Sequence, residues 1–351
     1  MNEWYYHNAC RAKASCFALG RVRRWIVLQL EGFHVREIGL LMVGVLAASS
    51  SGWVVARGNA QDDRLAAVQR VLGQAPQCQN LGDYYWEIGN GQGVLLHGQQ
   101  GKSIGPDTEL SIASASKWVF AAYVLQRVGP KLDPAQVQKL QMTSGYDELN
   151  PARCIGKVTA GACFDAAGND RLDASHVGLF SYNGGHMQKL MMDLGLGDLS
   201  LEALTADLHH YLPLDAAFSY GTPQAAAGLR TTSAAYGAFL RRILRGELAM
   251  ANALGSKPTC TMPGSCATAV SSPAPFAWHY SLGHWVEDDL QGDSQGDGAF
   301  SSAGAFGFYP WISADRGYYG LFVRLNFRPE SYKESVYCGI PVRHAFMGSK
   351  K

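Results

Sequence analysis

The chain has 351 residues and a formal net charge of +1, with 47% hydrophobic and 17% charged residues. This length can bury a large core in one domain or two lobes, and the balanced charge lacks the excess of cations that a nucleic-acid-binding surface requires. We therefore expect a globular protein with no nucleic-acid partner.

Residues 1–60 have the pattern of an export leader. An apolar, uncharged run at residues 38–56 follows several arginines and precedes small residues and then polar ones. This order is typical of a signal sequence, with cleavage expected after Ala60 and a periplasmic or secreted product. The segment before Arg36 is longer than the basic region that usually opens a signal sequence, which is compatible with a translation start at a later residue. If uncut, the apolar run is long enough to span a bilayer, so a membrane-anchored form is the alternative.

Cysteine usage agrees with export. Two of the eight cysteines lie in the leader, and the other six form an even set, as expected for disulfides in an oxidising compartment. Two pairs close in sequence are predicted to staple Gly- and Ala-rich loops, and the third to join the start of the fold to its end: Cys154 with Cys163, Cys260 with Cys266, and Cys78 with Cys338. No cysteine or histidine spacing fits a zinc site, and we expect no metal.

The first predicted elements are a helix and a β-hairpin. Apolar residues at 63–72 have helical spacing, and strand-like runs follow at 84–88 and 94–97. The segment between the strands contains Asn-Gly, which indicates a hairpin turn. Its glycines are similar in number to those of a phosphate-binding loop, but no helix follows them, so the turn is the favoured interpretation.

Ser114 and Lys117 lie three residues apart at the opening of an apolar segment, residues 118–125, which is typical of a buried helix. One helical turn brings the serine hydroxyl against the lysine amine. Burial lowers the pKa of a lysine from its usual value of about 10.4, and a neutral amine can take the proton of a serine. The segment therefore predicts a nucleophile beside a base. For Ser-x-x-Lys alone, the alternative is an ordinary helix start with a solvated lysine.

The middle of the chain is predicted to be helical apart from one long loop. Residues 147–177 show no periodicity, which is typical of a loop and often of a lid. Three further helical patterns run through residue 194, over residues 200–211, and from an N-cap at Ser233 to residue 244.

The last third of the chain is predicted to be sheet. Strand-like runs lie at residues 278–286, 300–312, 317–327 and, more weakly, 336–340. The loop at 287–298 is rich in Gly and in Asp, and its aspartates are Asp288, Asp289, Asp293 and Asp297. Their spacing matches no defined calcium loop, so we interpret the segment as a solvated hairpin tip. Early and late strands then share one antiparallel sheet, which predicts an α+β fold.

Four passages resemble the serine β-lactamase and penicillin-binding protein superfamily, especially its branch with AmpC-type β-lactamases, DD-peptidases and family VIII carboxylesterases. They lie, in the family's order, at residues 110–117, 140–146, 228–233 and 280–285. The resemblance covers roughly residues 63–327 and implies a β-lactamase/transpeptidase-like fold, with an antiparallel sheet flanked by helices and an all-helical subregion. It implies one hydrolase domain at 61–351, with a sheet lobe at 61–110 and 276–345 and a helical lobe at 111–275.

The resemblance also implies a second site motif, which is Tyr-x-Asn or Ser-x-Asn in relatives. Ser181 and Asn183 match it with serine first, so Ser181 is expected to relay a proton and Asn183 to hold substrate and lysine. Tyr182 is the alternative relay if the register shifts, although Gly184 then stands in place of the asparagine. A plain turn that caps the next helix is the structural alternative.

The third motif of the family lies on a strand that lines the cleft, and Ser302-Ala303-Gly304 stands at that place. The glycine is expected to let substrate approach, and the amides of Ala305 and Ser114 to form an oxyanion hole. Relatives often carry a lysine here that holds a substrate carboxylate, and a serine lacks that attraction. Arg230, Arg324 or a lid residue would have to compensate.

These assignments imply two-step acyl transfer on a small-molecule or peptidoglycan-derived ester or amide, with no cofactor. Lys117 takes the proton of Ser114, Ser181 returns it to the leaving group, and water repeats the cycle. The histidines form no rival triad; His186, beside the second motif, is either a cleft residue or structural. The alternative function is a penicillin- or peptidoglycan-binding sensor module without turnover.

Overall fold

The computed structural model describes residues 51–274, 276–288 and 296–348. The leader up to residue 50 and the loop residues Asp289 and Asp293 lie outside this range. The first helix begins at Ser51, so the cleavage expected after Ala60 falls within it. Within the described ranges, no helix combines the length and the hydropathy needed to cross a membrane.

The described elements alternate between helices and short strands. The helices are α1 (Ser51–Gln74), α2 (Ser116–Val128), α3 (Pro134–Leu140), α4 (Ala160–Phe164), α5 (Gly185–Asp193), α6 (Leu201–Tyr211), α7 (Ser233–Leu244), α8 (Met250–Ala253) and α9 (Ser331–Met347). The strands are β1 (Tyr84–Asn90), β2 (Gly93–Gln100), β3 (Leu110–Ser111), β4 (Phe180–Ser181), β5 (Ser219–Tyr220), β6 (Leu229–Thr231), β7 (Thr259–Cys260), β8 (Ala269–Ser271), β9 (His279–Tyr280), β10 (Trp285–Glu287), β11 (Ala299–Ser301), β12 (Phe308–Ile312) and β13 (Tyr318–Val323).

Early and late strands share an eight-stranded antiparallel sheet, as predicted. Its order is β2-β1-β13-β12-β11-β10-β9-β7, and β1 joins β13 through pairs such as Tyr85 with Val323. Helices cover both faces: Tyr319 of β13 contacts Gly237 of α7, whereas Phe322, three residues later, contacts Gly339 of α9. The sheet is therefore buried on both sides along β12 and β13, which fits their continuous apolar sequences.

Two smaller sheets hold the segments on which the candidate site lies. The order of the three-stranded sheet is β3-β6-β5, and β3 ends just before the nucleophile turn. The strand β4, which ends at Ser181, pairs in parallel with β8. The predicted β1–β2 hairpin is confirmed, with Asn90 opposite Gly93.

In the last third, the run at 317–327 is confirmed as β13 but ends at Val323, and the other three strand predictions were wrong in number or type. Residues 278–286 form a hairpin of β9 and β10, because Gly283 has φ +74° and turns the chain between them. Residues 300–312 are two strands, β11 and β12, with an irregular segment between them. Residues 336–340 lie in α9: their β-branched and aromatic composition suggested a strand, but Val336 and Ile340 bury one helical face at i, i+4 spacing.

The predicted disulfides are all present, and one helix cap differs by a residue. Disulfides join Cys78 to Cys338, Cys154 to Cys163, and Cys260 to Cys266. The first links the turn after α1 to α9. The N-cap of α7 is Thr232 rather than Ser233, since the Thr232 hydroxyl accepts from the Ala235 amide at 3.1 Å.

Candidate active site

A short 3-10 turn, Ala113–Ala115, presents Ser114 at the start of α2. Ala113 has φ +44°, a left-handed conformation that costs energy in a residue with a side chain and is often found at functional sites. The turn is held from outside by the Tyr236 hydroxyl, which donates to the Ala115 carbonyl at 2.9 Å. The nucleophile candidate thus stands on a constrained backbone.

Ser114 and Lys117 are in hydrogen-bond contact, with 2.8 Å between Oγ and Nζ. The lysine is 3% exposed, and its Nζ donates to the Ala226 carbonyl at 3.2 Å. Burial lowers the pKa of Lys117 from 10.5 to about 7, because the charged form loses its hydration. The amine is therefore largely neutral above pH about 7 and can accept a proton from Ser114.

Tyr182 completes this group. Its ring centroid lies 4.7 Å from the Lys117 Nζ, and Tyr182 lines the same pocket as Ser114. Burial raises the pKa of Tyr182 to about 12, an effect that the nearby Ser114 hydroxyl partly offsets. Tyr182 is therefore a protonated phenol near neutral pH, able to donate a proton.

The structure does not bring Ser181 and Asn183 to this pair. The Ser181 hydroxyl bonds with that of Ser271 at 3.0 Å, and the Asn183 amide bonds with Leu149 and with the Gly185 amide near the start of α5. Among the described residues, neither side chain hydrogen bonds with the nucleophile or the lysine. Successive side chains of an extended segment point to opposite sides, so Tyr182 and Ser181 cannot both face the site.

The third predicted segment contacts the nucleophile turn more closely than expected. Ser302 is 3% exposed, and its hydroxyl donates to the Ser114 carbonyl at 3.1 Å, so it supports the turn. A Cβ on Gly304 would lie 2.1 Å from the Ile112 carbonyl oxygen. The absence of a side chain at Gly304 therefore makes room for the nucleophile turn, whereas from the sequence we expected it to make room for substrate. Ala305 lies on the pocket wall with Ser114, as the predicted oxyanion hole requires.

The predicted substitute cations are engaged elsewhere. Arg230 pairs with Glu109 at the surface, with 2.6 Å between Nε and Oε1. Arg324 is buried, where its Nε donates to the Leu81 carbonyl and its Nη1 pairs with Glu334 at 2.9 Å. Neither arginine lines the pocket beside Ser114.

His186 is a fully buried structural histidine. Its Nε2 lies 2.9 Å from the Ser181 carbonyl, and the Ser144 amide donates to Nδ1 at 3.2 Å. Burial lowers the pKa of His186 to about 4, so the ring is neutral. It joins the loop after α3 to the strand that carries the second motif.

The pocket beside Ser114 has a cavity volume of about 100 Å³ and mostly apolar walls. Sequence reasoning had named Ser114, Tyr182 and Ala305 as site residues and had Ala303 and Trp285 within family-like segments. It missed the other five lining residues, and Val336 was assigned to a strand. The lining residues are Ser114, Tyr182, Pro273, Ala274, Trp278, Trp285, Ala303, Ala305, Tyr332 and Val336.

Neither the protein-family models nor the curated proteins match this sequence. Solved structures do. EstCE1, a hydrolase with promiscuous acyltransferase activity, is 12% identical with a TM-score of 0.60, and 82% of this chain aligns with 99% of that chain. D-amino acid amidase from Ochrobactrum anthropi SV3 is 13% identical with a TM-score of 0.60, over 82% of this chain and 100% of that one.

A penicillin-binding protein homologue from Caulobacter crescentus is similar in the same way. It is 16% identical with a TM-score of 0.58, and 81% of this chain aligns with 98% of it. The names of these three proteins describe a hydrolase, an amidase and a penicillin-binding protein homologue. At these identities the similarity shows a shared fold.

Proposed function

Because the chain has the fold of the serine β-lactamase and penicillin-binding protein superfamily, we propose that it is a hydrolase that cleaves an ester or amide through an acyl-enzyme at Ser114. The observation that carries the proposal is the 2.8 Å contact between the Ser114 Oγ and the Nζ of buried Lys117. A serine needs a base, and a desolvated lysine without a carboxylate partner can act as one.

In the acylation step the Ser114 Oγ attacks the substrate carbonyl carbon, and its proton passes to the Lys117 Nζ. The N–H that Lys117 donates to the Ala226 carbonyl fixes the amine and leaves its lone pair for the serine. The amides of Ser114 and Ala305 are the proposed donors to the oxyanion, since both residues line the same pocket.

Tyr182 is the proposed proton relay, in place of Ser181. As the tetrahedral intermediate collapses, the bond to the leaving group breaks, the Tyr182 hydroxyl gives that group a proton, and Lys117 reprotonates the phenol. Water then attacks the acyl-enzyme, loses its proton to Lys117, and the acid leaves as Ser114 regains a proton. The position of Tyr182 on the same pocket as Ser114, with its ring centroid 4.7 Å from the Lys117 Nζ, supports this route.

Active-site labelling tests the proposal. The mature protein is incubated with a fluorophosphonate and, separately, with p-nitrophenyl acetate, and the site of added mass is mapped. We expect phosphonylation at Ser114 and steady turnover, both lost in Ser114→Ala. Labelling of Ser114 without turnover would support the sensor alternative instead, and no labelling would overturn the nucleophile assignment.

We also propose that the hydrolase domain, residues 61–351, acts after export. The three disulfides and the leader pattern support this. Intact mass of the protein from the periplasm or medium is expected to correspond to a start at Gln61. A full-length protein found in the membrane fraction would favour the anchored alternative.

A further inference from the structure

The pocket beside Ser114 is walled by aromatic rings from separate parts of the chain. Trp278 and Trp285 come from the β9–β10 hairpin region, and Tyr332 comes from the first turn of α9. The Tyr182 ring stacks on Trp285 with 5.3 Å between centroids. The rest of this wall is formed by Val336, Pro273 and Ala274.

Polar groups on these walls are few and mostly occupied. The Tyr332 hydroxyl donates to the Pro273 carbonyl at 2.9 Å, which ties α9 to the loop before β9. The Trp278 Nε1 is buried and has no hydrogen-bond partner among the described residues. None of the pocket's lining residues in the described ranges is acidic or basic.

The position that carries a cation in many relatives offers none here. Ser302 turns its hydroxyl to the Ser114 carbonyl. Lys117 lies behind Ser114, outside the pocket lining, and as the base it must be neutral to act. A substrate carboxylate in this pocket would therefore lose its hydration without gaining an ion pair, which is strongly unfavourable. An apolar group would instead gain from burial against the rings.

We propose that this pocket binds an uncharged, apolar group of the substrate, branched aliphatic or aromatic, directly beside the scissile ester or amide. Trp278, Trp285 and Tyr332 determine this specificity by enclosing the group. The inference rests on the proposed function of Ser114. It excludes substrates whose free carboxylate must enter the pocket.

A quaternary ammonium group is the competing occupant, because aromatic rings also bind cations. Two observations favour the neutral group. The lining lacks a carboxylate to complete a cation site, and the Lys117 Nζ already lies over the Tyr182 ring, 4.7 Å from its centroid, so that face is not open to a second cation.

Matched esters separate these possibilities. One series has p-nitrophenyl esters of equal acyl length that end in tert-butyl, trimethylammonium or carboxylate; a second series places the same three groups on the alcohol of acetate esters. In at least one series, kcat/KM for the tert-butyl ester is expected to exceed that of both charged esters, by about 100-fold or more for the carboxylate. Equal or better turnover of a charged ester in both series would overturn the inference.

A charge introduced at the rim gives an independent test with a matched control. Ala274 is half-buried on the pocket wall, so Ala274→Lys places an amine there, and Ala274→Met adds similar length without charge. The ratio of carboxylate to tert-butyl turnover is expected to rise about tenfold or more in Ala274→Lys relative to Ala274→Met. Equal ratios in the two variants would contradict binding in this pocket.

The inference and the proposed function fail in different ways. Fluorophosphonate labelling of Ser114 and turnover of p-nitrophenyl acetate report on the nucleophile without needing the pocket to discriminate. If both persist while the matched esters show no preference, only the specificity is wrong. If Ser114 is not labelled at all, the hydrolase proposal fails, and the specificity with it.

Discussion

Lys117 and Arg343 are both buried cationic side chains, but their surroundings differ. The Lys117 Nζ contacts a hydroxyl and a carbonyl, and burial lowers its pKa to about 7. Arg343 pairs with Glu287 and Asp297 at 2.7 Å each; although burial lowers its pKa, these neighbours and Tyr309 hold it above its usual range. Burial without a counter-charge makes a reactive neutral base, whereas burial with two carboxylates makes a fixed charge that stabilises the fold.

The largest expected effect comes from replacing Lys117, the buried amine that has no counter-charge. In Lys117→Met, which has a similar length, kcat/KM for p-nitrophenyl acetate is expected to fall by about 10³-fold or more, because Ser114 loses its base. Unfolding free energy in urea should fall by no more than about 1 kcal/mol, since no buried charge loses its partner. A large loss of stability would mean that Lys117 has a structural role.

Replacing the paired cation is expected to do the reverse. Arg343→Met leaves Glu287, whose side chain is fully buried, without its partner, and urea denaturation should report a loss of about 3–5 kcal/mol. Arg343→Lys, which keeps the charge but not the planar fork, should fall between wild type and Arg343→Met. The folded fraction of either variant should retain kcat/KM, and an activity loss beyond the folded fraction would tie this network to the site.

The same contrast between a free and an engaged group exists within one motif. Tyr182 lines the pocket with Ser114 and lies against Lys117, while the Ser181 hydroxyl is bonded to Ser271. Tyr182→Phe should lower kcat for an alkyl ester by about 10²-fold and for a p-nitrophenyl ester by less, because p-nitrophenolate leaves without a proton. Ser181→Ala is expected to leave this difference between leaving groups unchanged, and the opposite result would restore Ser181 as the relay.

The predictable part of the site was the part encoded locally. Ser114 and Lys117 lie one turn apart at the start of a buried helix, so their spacing and apolar neighbours were sufficient to predict contact. The choice between Ser181 and Tyr182 was different, because it depends on which side chain of a short extended segment faces the site. Composition carries no information about that register.

The walls of the pocket depend on tertiary packing. Trp278 and Tyr332 are distant in sequence and meet only because α9 packs on the sheet, an arrangement that the Cys78–Cys338 disulfide reinforces. The fold class and this disulfide were predictable from strand patterning and cysteine count. The helical state of residues 336–340 was not, since their strand-like composition is overridden by burial of one helical face.

The smallest expected effects are the changes of activity and stability with pH, which distinguish the titrating Lys117 from the permanently charged Arg343. Below its folded pKa of about 7, Lys117 is protonated and cannot act as a base, so kcat/KM is expected to fall about tenfold per pH unit below 7. Tyr182, with a pKa raised to about 12, adds no alkaline limb below pH 10.

Stability should respond at other pH values. Lys117 is protonated below pH 7 in both folded and unfolded chains, so it contributes no change there; between about 7 and 10.5 the unfolded chain binds the extra proton, and stability rises with pH. Burial alone would raise the pKa of Asp297, but His344 and Arg343 hold this pKa well below its usual range. The contribution of Asp297 to folding stability is therefore lost only as pH falls below about 4.

Burial also lowers the pKa of His186 and His284 to about 4, so these two histidines reduce stability as pH falls below about 6.5. Activity is expected to fall between pH 7 and 5 while the chain is still mostly folded, and Lys117→Met should remove the stability slope above pH 7. Urea denaturation across this range measures both, and unfolding that tracks the loss of activity would exclude Lys117 as the titrating base.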